Sequence, residues 1–168
     1  MTPSGYTVFI MKIVVLSDTH GNYPDALRAV EMIETPDVII HLGDFCDDAL
    51  PLQVALSRTV IRVSGNCDFG ARIPRELLIR FGNIPFLLCH GDAHGVKGGL
   101  KRLEDHANRI GAKVVLFGHT HAPLVRNHDG MLFVNPGTIQ KSNQSLTFAL
   151  VTVEDGMAVA CIISLPPL

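Results

Sequence analysis

Long apolar stretches are missing from this chain. None of its 168 residues falls in an apolar run approaching the roughly 20 residues that a membrane-spanning helix needs. The first ten residues have neither the basic start nor the long apolar middle of a secretory signal, so a cytoplasmic protein with no membrane partner is expected. Cysteine is sparse. Cys46, Cys67, Cys89 and Cys161 form no CxxC pair and no small-scaffold spacing, which argues against a structural zinc or a disulfide framework and leaves free thiols. An excess of positive charge is also lacking. Fourteen Lys and Arg face sixteen Asp and Glu, for a net charge of −2. That balance excludes the electrostatic footprint of a protein that grips long nucleic acid through its phosphates. No linker, low-complexity segment or repeat breaks the sequence, and its length suits one domain with a real core.

Five short apolar runs each end in a glycine-flanked Asp, Asn or His. Residues 12–17 lead to Asp18 and His20, residues 38–42 to Gly43-Asp44, and residues 60–64 to Gly65-Asn66-Cys67-Asp68. Residues 86–89 lead to His90-Gly91, and residues 114–117 to Gly118-His119-Thr120-His121. Runs rich in Val, Ile and Leu read as buried strands of a sheet covered on both faces. Polar groups at their ends project into the crevice at the carboxyl edge, where α/β proteins place ligands. Five segments thus deliver carboxylates, one amide and imidazoles to one edge, enough donors for two ions. In extended chain, residues two apart share a side at roughly 6.5 to 7 Å, so Asp18 with His20, and His119 with His121, are expected to face one pocket. Three carboxylates, one amide oxygen and four imidazoles suit Mn, Fe, Zn, Ni or Co better than Ca or Mg. A lone carboxylate such as Asp44 can bridge two ions about 3.5–4 Å apart.

The rest of the pattern is regular. Residues 1–10 read as a flexible extension, with a short extra strand over residues 6–10 as the alternative. Pro24 at the first helical position and Asp25 open a helix with an apolar face of Leu27, Val30 and Ile33, which stops before Pro36. Residues 48–56 form a shorter helix. Residues 77–81 and 84–88 flank Gly82-Asn83, a hairpin signal. Leu100, Leu103, Ala107 and Ile110 recur at helical spacing before Gly111. Strands follow over residues 124–126, 131–134, 146–153 and 157–163, with tight turns at Asp129-Gly130 and Asp155-Gly156. An alternating half followed by an antiparallel half predicts a four-layer α/β/β/α sandwich, two mixed sheets flanked by helices, in a single domain over residues 11–165.

The five motifs, in this order, resemble those of calcineurin-like metallophosphoesterases over Met11 to about Ile163. Gly65-Asn66-Cys67-Asp68 and Asn135-Pro136-Gly137-Thr138 are similar to the small single-domain bacterial and archaeal phosphodiesterases of that superfamily. The resemblance implies the same four-layer fold and a binuclear centre of divalent transition ions, manganese first, with nickel, iron, zinc or cobalt as alternatives. Asp18, His20 and His121 would hold one ion; Asn66, His90 and His119 the other; Asp44 would bridge them. Asp44, Asn66 and His90 are the implied catalytic residues. The implied reaction is hydrolysis of a small phosphate ester, most simply a diester, by a hydroxide bridging the metals. Two other readings remain. Some proteins of this fold are binding scaffolds with a degraded metal site, whereas the ligand set here is complete. Some are nucleases, against which the short chain and missing basic stripe weigh.

Departures from the pattern also matter. Cys67 stands where larger relatives carry a His proposed as general acid, and a thiol is a poorer donor. Asp92 follows His90-Gly91 where many small relatives have His, and could orient His90 from behind. Asp68 reads as a loop cap, and His41, inside a strand, as a satisfied core imidazole. His94 reads as a loop residue that could reach a substrate; His106 and His128 read as surface. Arg72, Lys97 and Arg126 are phosphate anchors by charge alone. Residues 46–50, 69–75 and 92–98 are the loops expected to set selectivity. A homo-oligomer is left open.

Overall fold

The structure, a computed structural model, describes residues 10–141 and 145–167. The expected N-terminal extension lies, but for Ile10, outside the described residues. Among the described residues, ten strands form two sheets of five. The first sheet holds β1 (Met11–Leu16), β2 (Val38–His41), β3 (Val60–Arg62), β9 (Thr147–Glu154) and β10 (Met157–Ser164), in the order β10-β9-β1-β2-β3. The second holds β4 (Glu76–Phe81), β5 (Ile84–Cys89), β6 (Val114–Leu116), β7 (Leu124–His128) and β8 (Met131–Asn135), in the order β4-β5-β6-β8-β7. Strands β1, β2 and β3 run parallel, as do β5, β6 and β8, while β9 runs antiparallel to β1 and β10 antiparallel to β9. Both sheets are therefore mixed, as expected.

Strand alternation builds the layers. Successive side chains point to opposite faces, so Ile13 and Val15 of β1 face the second sheet while Val14 and Leu16 face helices. Those helices are α1 (Tyr23–Glu31) and α2 (Ala49–Leu56), which contribute Ala26, Ala29, Val30, Ala49 and Leu52 to the same cluster. In the second sheet, Phe86, Leu88, Val114, Leu116 and Val134 point inward. Leu87, Val115 and Phe133 instead pack under Leu103 and Ala107 of α3 (Lys101–Ile110). The result is helices, sheet, sheet, helix, with the central apolar layer supplied by both sheets.

Local departures have simple causes. Tyr23, not Pro24, is the first residue of α1; Pro24 still falls where its missing N–H costs nothing, since the first turn has no intrahelical acceptor. The buried face of α1 is Asp25, Ala26, Ala29 and Val30, with Leu27 and Ile33 only partly covered. A 3₁₀ turn at Cys46–Asp48 precedes α2, so the helix itself begins one residue later than expected. The closing strands do not make a separate antiparallel unit. β8 runs parallel to β6, and β9 inserts beside β1, so the two ends of the chain share one sheet.

Phe86 lies fully buried between the sheets, its ring edge-on to Phe81 at 5.0 Å. Phe86→Ala should lower unfolding free energy by about 3–5 kcal/mol, the usual cost of an aromatic-to-alanine cavity. Urea denaturation monitored by circular dichroism measures it, and a loss below about 1 kcal/mol would mean that the inter-sheet layer is not the core.

Candidate metal centre

The motif residues come from two sheets rather than one. β1, β2 and β3 of the first sheet and β5 and β6 of the second all end in the same region. Nor are the motifs extended beyond the strands. Asp18, His20, Asp44, His119 and His121 all have positive φ, between 47° and 68°. Non-glycine residues rarely adopt that backbone, and it concentrates where function demands it. These five make up half of the ten such residues described. Left-handed backbone, and not strand alternation, aims the fifth motif: His119 and His121 turn to different neighbours within the same region.

His121 Nε2 lies 3.0 Å from Asp18 Oδ1, and donor atoms of Asp18, His20 and His121 all fall within 4.8 Å of one another. A second group, equally close, joins Asp44, His90 and His119. Asp44 spans the two: Oδ2 is 3.7 Å from His20 Nε2, and Oδ1 is 3.4 Å from His90 Nε2. His90 Nε2 and His119 Nδ1 are 3.2 Å apart. Six of the seven candidate ligands thus converge. Asn66, the seventh, is exposed at the mouth of the third motif, and its amide donates to Cys67 Sγ at 3.4 Å.

The groups fit divalent ions. Asp18 Oδ1 and His20 Nε2 are buried and have no hydrogen bond among the described residues; His121, although close to Oδ1, is not aligned to donate to it. Leaving such atoms unpaired costs free energy, and two carboxylates with four imidazoles are a donor set that a cation satisfies. Charge distribution agrees. Burial would raise the Asp18 carboxyl, but the adjacent His121, His90 and Ser17 hydroxyl outweigh it and hold it below the usual range. Asp44 is likewise held well below that range: burial opposes, but His90 and the Cys67 backbone N–H prevail. His90 is raised, since Asp44 and Asp18 overcome its burial, whereas burial, His90 and Lys97 together lower His119.

A framework of hydrogen bonds holds these loops in place. The Asp68 carboxylate accepts from three backbone N–H groups: Asp44 (2.9 Å) and Gly65 (2.7 Å) on Oδ2, and Cys46 (2.9 Å) on Oδ1. It is the loop cap expected from its sequence context. His90 Nδ1–H donates to the Leu42 carbonyl at 2.9 Å, which directs Nε2 to the centre. Asp92 therefore does not orient His90. It pairs with Arg75, whose other nitrogen reaches the Gly65 carbonyl and so links the third and fourth motif loops. Gly118 has no room for a side chain: a Cβ there would overlap Ser17 and the Asp18 carboxylate.

The Asn-Pro-Gly-Thr turn supports the first and fifth motifs. Asn135 donates to the Gly118 carbonyl and Thr120 Oγ1, and Thr138 donates to the Asp18 carbonyl at 2.9 Å. Sequence reasoning noted the turn but not these roles; its polar ends at a buried strand terminus were the available signal. Of the three cations singled out, Lys97 is the one whose charge bears on a candidate ligand, His119. Arg72 and Arg126 are exposed, and His128 is half-buried.

The sequence and the fold match known proteins. A family model, the calcineurin-like phosphoesterase superfamily domain, covers residues 11–156. The chain belongs to that superfamily. A probable metallophosphoesterase of Bacillus subtilis, YsnB, is 32% identical over 88% of both chains. A phosphodiesterase of Methanocaldococcus jannaschii is 28% identical over 76% of this chain and 83% of its own. Among solved structures, a predicted phosphoesterase of Streptococcus pneumoniae superposes with a TM-score of 0.77 at 25% identity, covering 93% of this chain and 90% of its own. Members of the superfamily are metal-dependent, and no described helix here is long and apolar enough to cross a membrane.

His41 carries a further consequence. It is fully buried; Nδ1 accepts from the Gly43 N–H (3.2 Å), so Nε2 carries the proton and donates to Thr19 Oγ1 (3.0 Å). Thr19 in turn donates to Asp48 Oδ2 at 2.6 Å. Burial pushes His41 down from its ordinary 6.5 to about 4, against the carboxylates of Asp48, Asp18 and Asp68. Between those values the unfolded chain binds the extra proton, so the folded state loses stability as pH falls from 6.5 towards 4. The full loss is roughly 3 kcal/mol. His41→Gln should flatten that part of the stability–pH curve, as measured by urea midpoints across the window. An unchanged slope would show that His41 is not held neutral.

Proposed function

We propose that this protein is a metal-dependent phosphodiesterase acting on a small phosphorylated molecule. In this reading Asp18, His20 and His121 hold one divalent ion, Asn66, His90 and His119 hold a second, and Asp44 serves both. The observation that carries it is the pair of buried, unpaired ligand atoms, Asp18 Oδ1 and His20 Nε2, beside a carboxylate whose two oxygens face different imidazoles. Divalent ions there, manganese foremost, would supply an activated water and neutralise charge on the phosphoryl group. The similarity to the Methanocaldococcus jannaschii phosphodiesterase supports a diester.

The chain's own residues account for the rest. The Leu42 carbonyl fixes the His90 tautomer, and the Asp68 clamp fixes Asp44 relative to the third motif. A cleft of about 320 Å³ opens beside His20, lined also by Gly21, Asn22, Pro24, Gln140 and Lys141. Its size suits a small ester, and Lys141 on its wall supplies positive charge for phosphate. Covalent catalysis by Cys67 is disfavoured. Burial and the carboxylates of Asp44, Asp68 and Asp18 push its thiol up to about 11, so it stays protonated at neutral pH.

Chelator-stripped protein, reloaded separately with Mn, Ni, Zn or Mg and given mono- and diester panels, tests the reading. Activity restored by none of the four would overturn it. Asp44→Asn should lower turnover by about 10²-fold or more, the scale of losing one preorganised charged group in an active site. Its circular dichroism should not change. His41→Gln should be far milder; equal losses in the two variants would mean that Asp44 is misassigned.

Cys67 also bears on the leaving group. A thiol this weakly acidic donates poorly, so activated diesters should outrun alkyl esters in the native enzyme. Cys67→His should speed poor leaving groups more than p-nitrophenolate, flattening the dependence of rate on leaving-group pKa. General acid catalysis contributes roughly 10²- to 10⁴-fold where it operates, so partial rescue is measurable. An unchanged slope with metals still bound would show that the position supplies no proton.

A further inference from the structure

A third group of metal-ligating side chains lies outside the centre described above. Glu76 opens β4, His94 ends the short 3₁₀ turn Asp92–His94 that follows the fourth motif, and His106 projects from α3. Sequence reading placed His106 on the surface and His94 in a loop, solvated or within reach of a substrate; the fold brings both onto one carboxylate. Glu76 Oε2 is 3.4 Å from His94 Nε2 and 3.1 Å from His106 Nε2. The imidazoles stack, with centroids 4.8 Å apart and planes inclined by 29°. Their side chains are only 16% and 15% exposed, whereas Glu76 is 46% exposed. One donor atom from each residue lies within 4.8 Å of the other two.

We propose that Glu76, His94 and His106 bind a divalent transition ion independently of the candidate metal centre. Four-coordinate zinc with bonds of about 2.0–2.2 Å places neighbouring donors about 3.3 Å apart, and the two separations from Glu76 Oε2 already match that edge. Two imidazoles and one carboxylate are donors for zinc and similar borderline ions, with a solvent molecule at the fourth position. The open side of Glu76 provides entry. The ion would pin the loop after His90 to β4 and α3.

Arg109 supplies a signature that a plain hydrogen-bonded cluster lacks. Its guanidinium donates to His106 Nδ1 at 2.8 Å, so in the ion-free chain Nε2 carries the proton and donates to Glu76 Oε1 at 3.2 Å. Binding an ion at Nε2 moves that proton to Nδ1, where it opposes Arg109. Arg109 is exposed on α3 and must swing away. The arginine therefore competes with the metal.

Titration of the chelator-stripped full chain with Zn²⁺, followed by NMR of the histidine ring protons, tests the site. Signals of His94 and His106, assigned through His94→Gln and His106→Gln, should shift together, in the native chain and equally in Asp44→Asn. That second arm separates this site from the centre proposed for catalysis. Glu76→Gln should weaken binding at those signals by at least about tenfold, the lower bound for losing even a supporting partner of a metal site. Arg109→Ala should tighten it by about three- to tenfold, the span of one net hydrogen bond. Signals unmoved by millimolar Zn²⁺, or an affinity unchanged by Glu76→Gln, would overturn the proposal; so would an affinity left unaltered or weakened by Arg109→Ala.

Discussion

The carboxylate of Asp68 is the contact on which the geometry of the candidate centre depends. It accepts hydrogen bonds from the backbone of Asp44, Gly65 and Cys46, and so joins the loop after β2 to the loop after β3. Hydrogen bonds to an ionised acceptor are roughly twice as strong as neutral ones, and three converge on one group. They hold the loop from which the Asp44 side chain meets His20, His90 and the Cys67 N–H. Gly65 belongs to the same constraint, because a Cβ there would overlap the Asp44 carboxylate. The tight turn and the clamp are one device, and a change in either displaces the carboxylate that both ligand groups share.

The two-sheet architecture explains why such a clamp is needed. Within one parallel sheet, neighbouring strand ends are held in register by the ladder itself. Here the first three motifs ride on one sheet and the last two on the other, and the apolar layer between them fixes the sheets but not the loops. Polar cross-links between sheets do that work. His90 of the second sheet donates to Leu42 of the first, the His119 N–H donates to Asp18 at 3.1 Å, and Thr138 reaches the Asp18 carbonyl. Each uses a strand-terminal backbone group with no ladder partner, so the strand ends are satisfied and the site is positioned by the same bonds.

Period and punctuation made the elements legible in the sequence. Short apolar runs rich in Val, Ile and Leu located the strands, and Gly82, Gly111, Gly130 and Gly156 marked turns that the structure contains, each with positive φ. The motif residues were readable because Asp and His after a buried strand have few structural reasons to be there. What stayed hidden was relational. Nothing local to Thr147–Glu154 says that it inserts beside β1, because that pairing depends on which edge the first sheet leaves open. The left-handed backbone at His119 and His121 was invisible too, since neither residue type announces it as glycine does. Arg75 and His106 could not be assigned from spacing, because their partners, Asp92 and Glu76, lie on other elements.

Strain and unpaired atoms at the centre have a thermodynamic counterpart. Five candidate ligands hold a backbone that costs of order 1–3 kcal/mol per residue in the worst cases, and two buried donor atoms lack partners. A chain that carries such penalties without ions must offset them through the three apolar clusters and the clamps just described. Ions that bind only the folded chain would relieve the unpaired atoms and stabilise the fold by mass action. Stability and activity are then coupled through the same side chains. The buried, neutral His41 adds to this from outside the ligand set. It supports Thr19 and Gly43, one beside Asp18 and the other beside Asp44, without bringing a further positive charge next to the ions. A protonated imidazole there would repel them. Its depressed pKa comes from burial, which outweighs the carboxylates of Asp48, Asp18 and Asp68, so the imidazole stays neutral beside the candidate ligands.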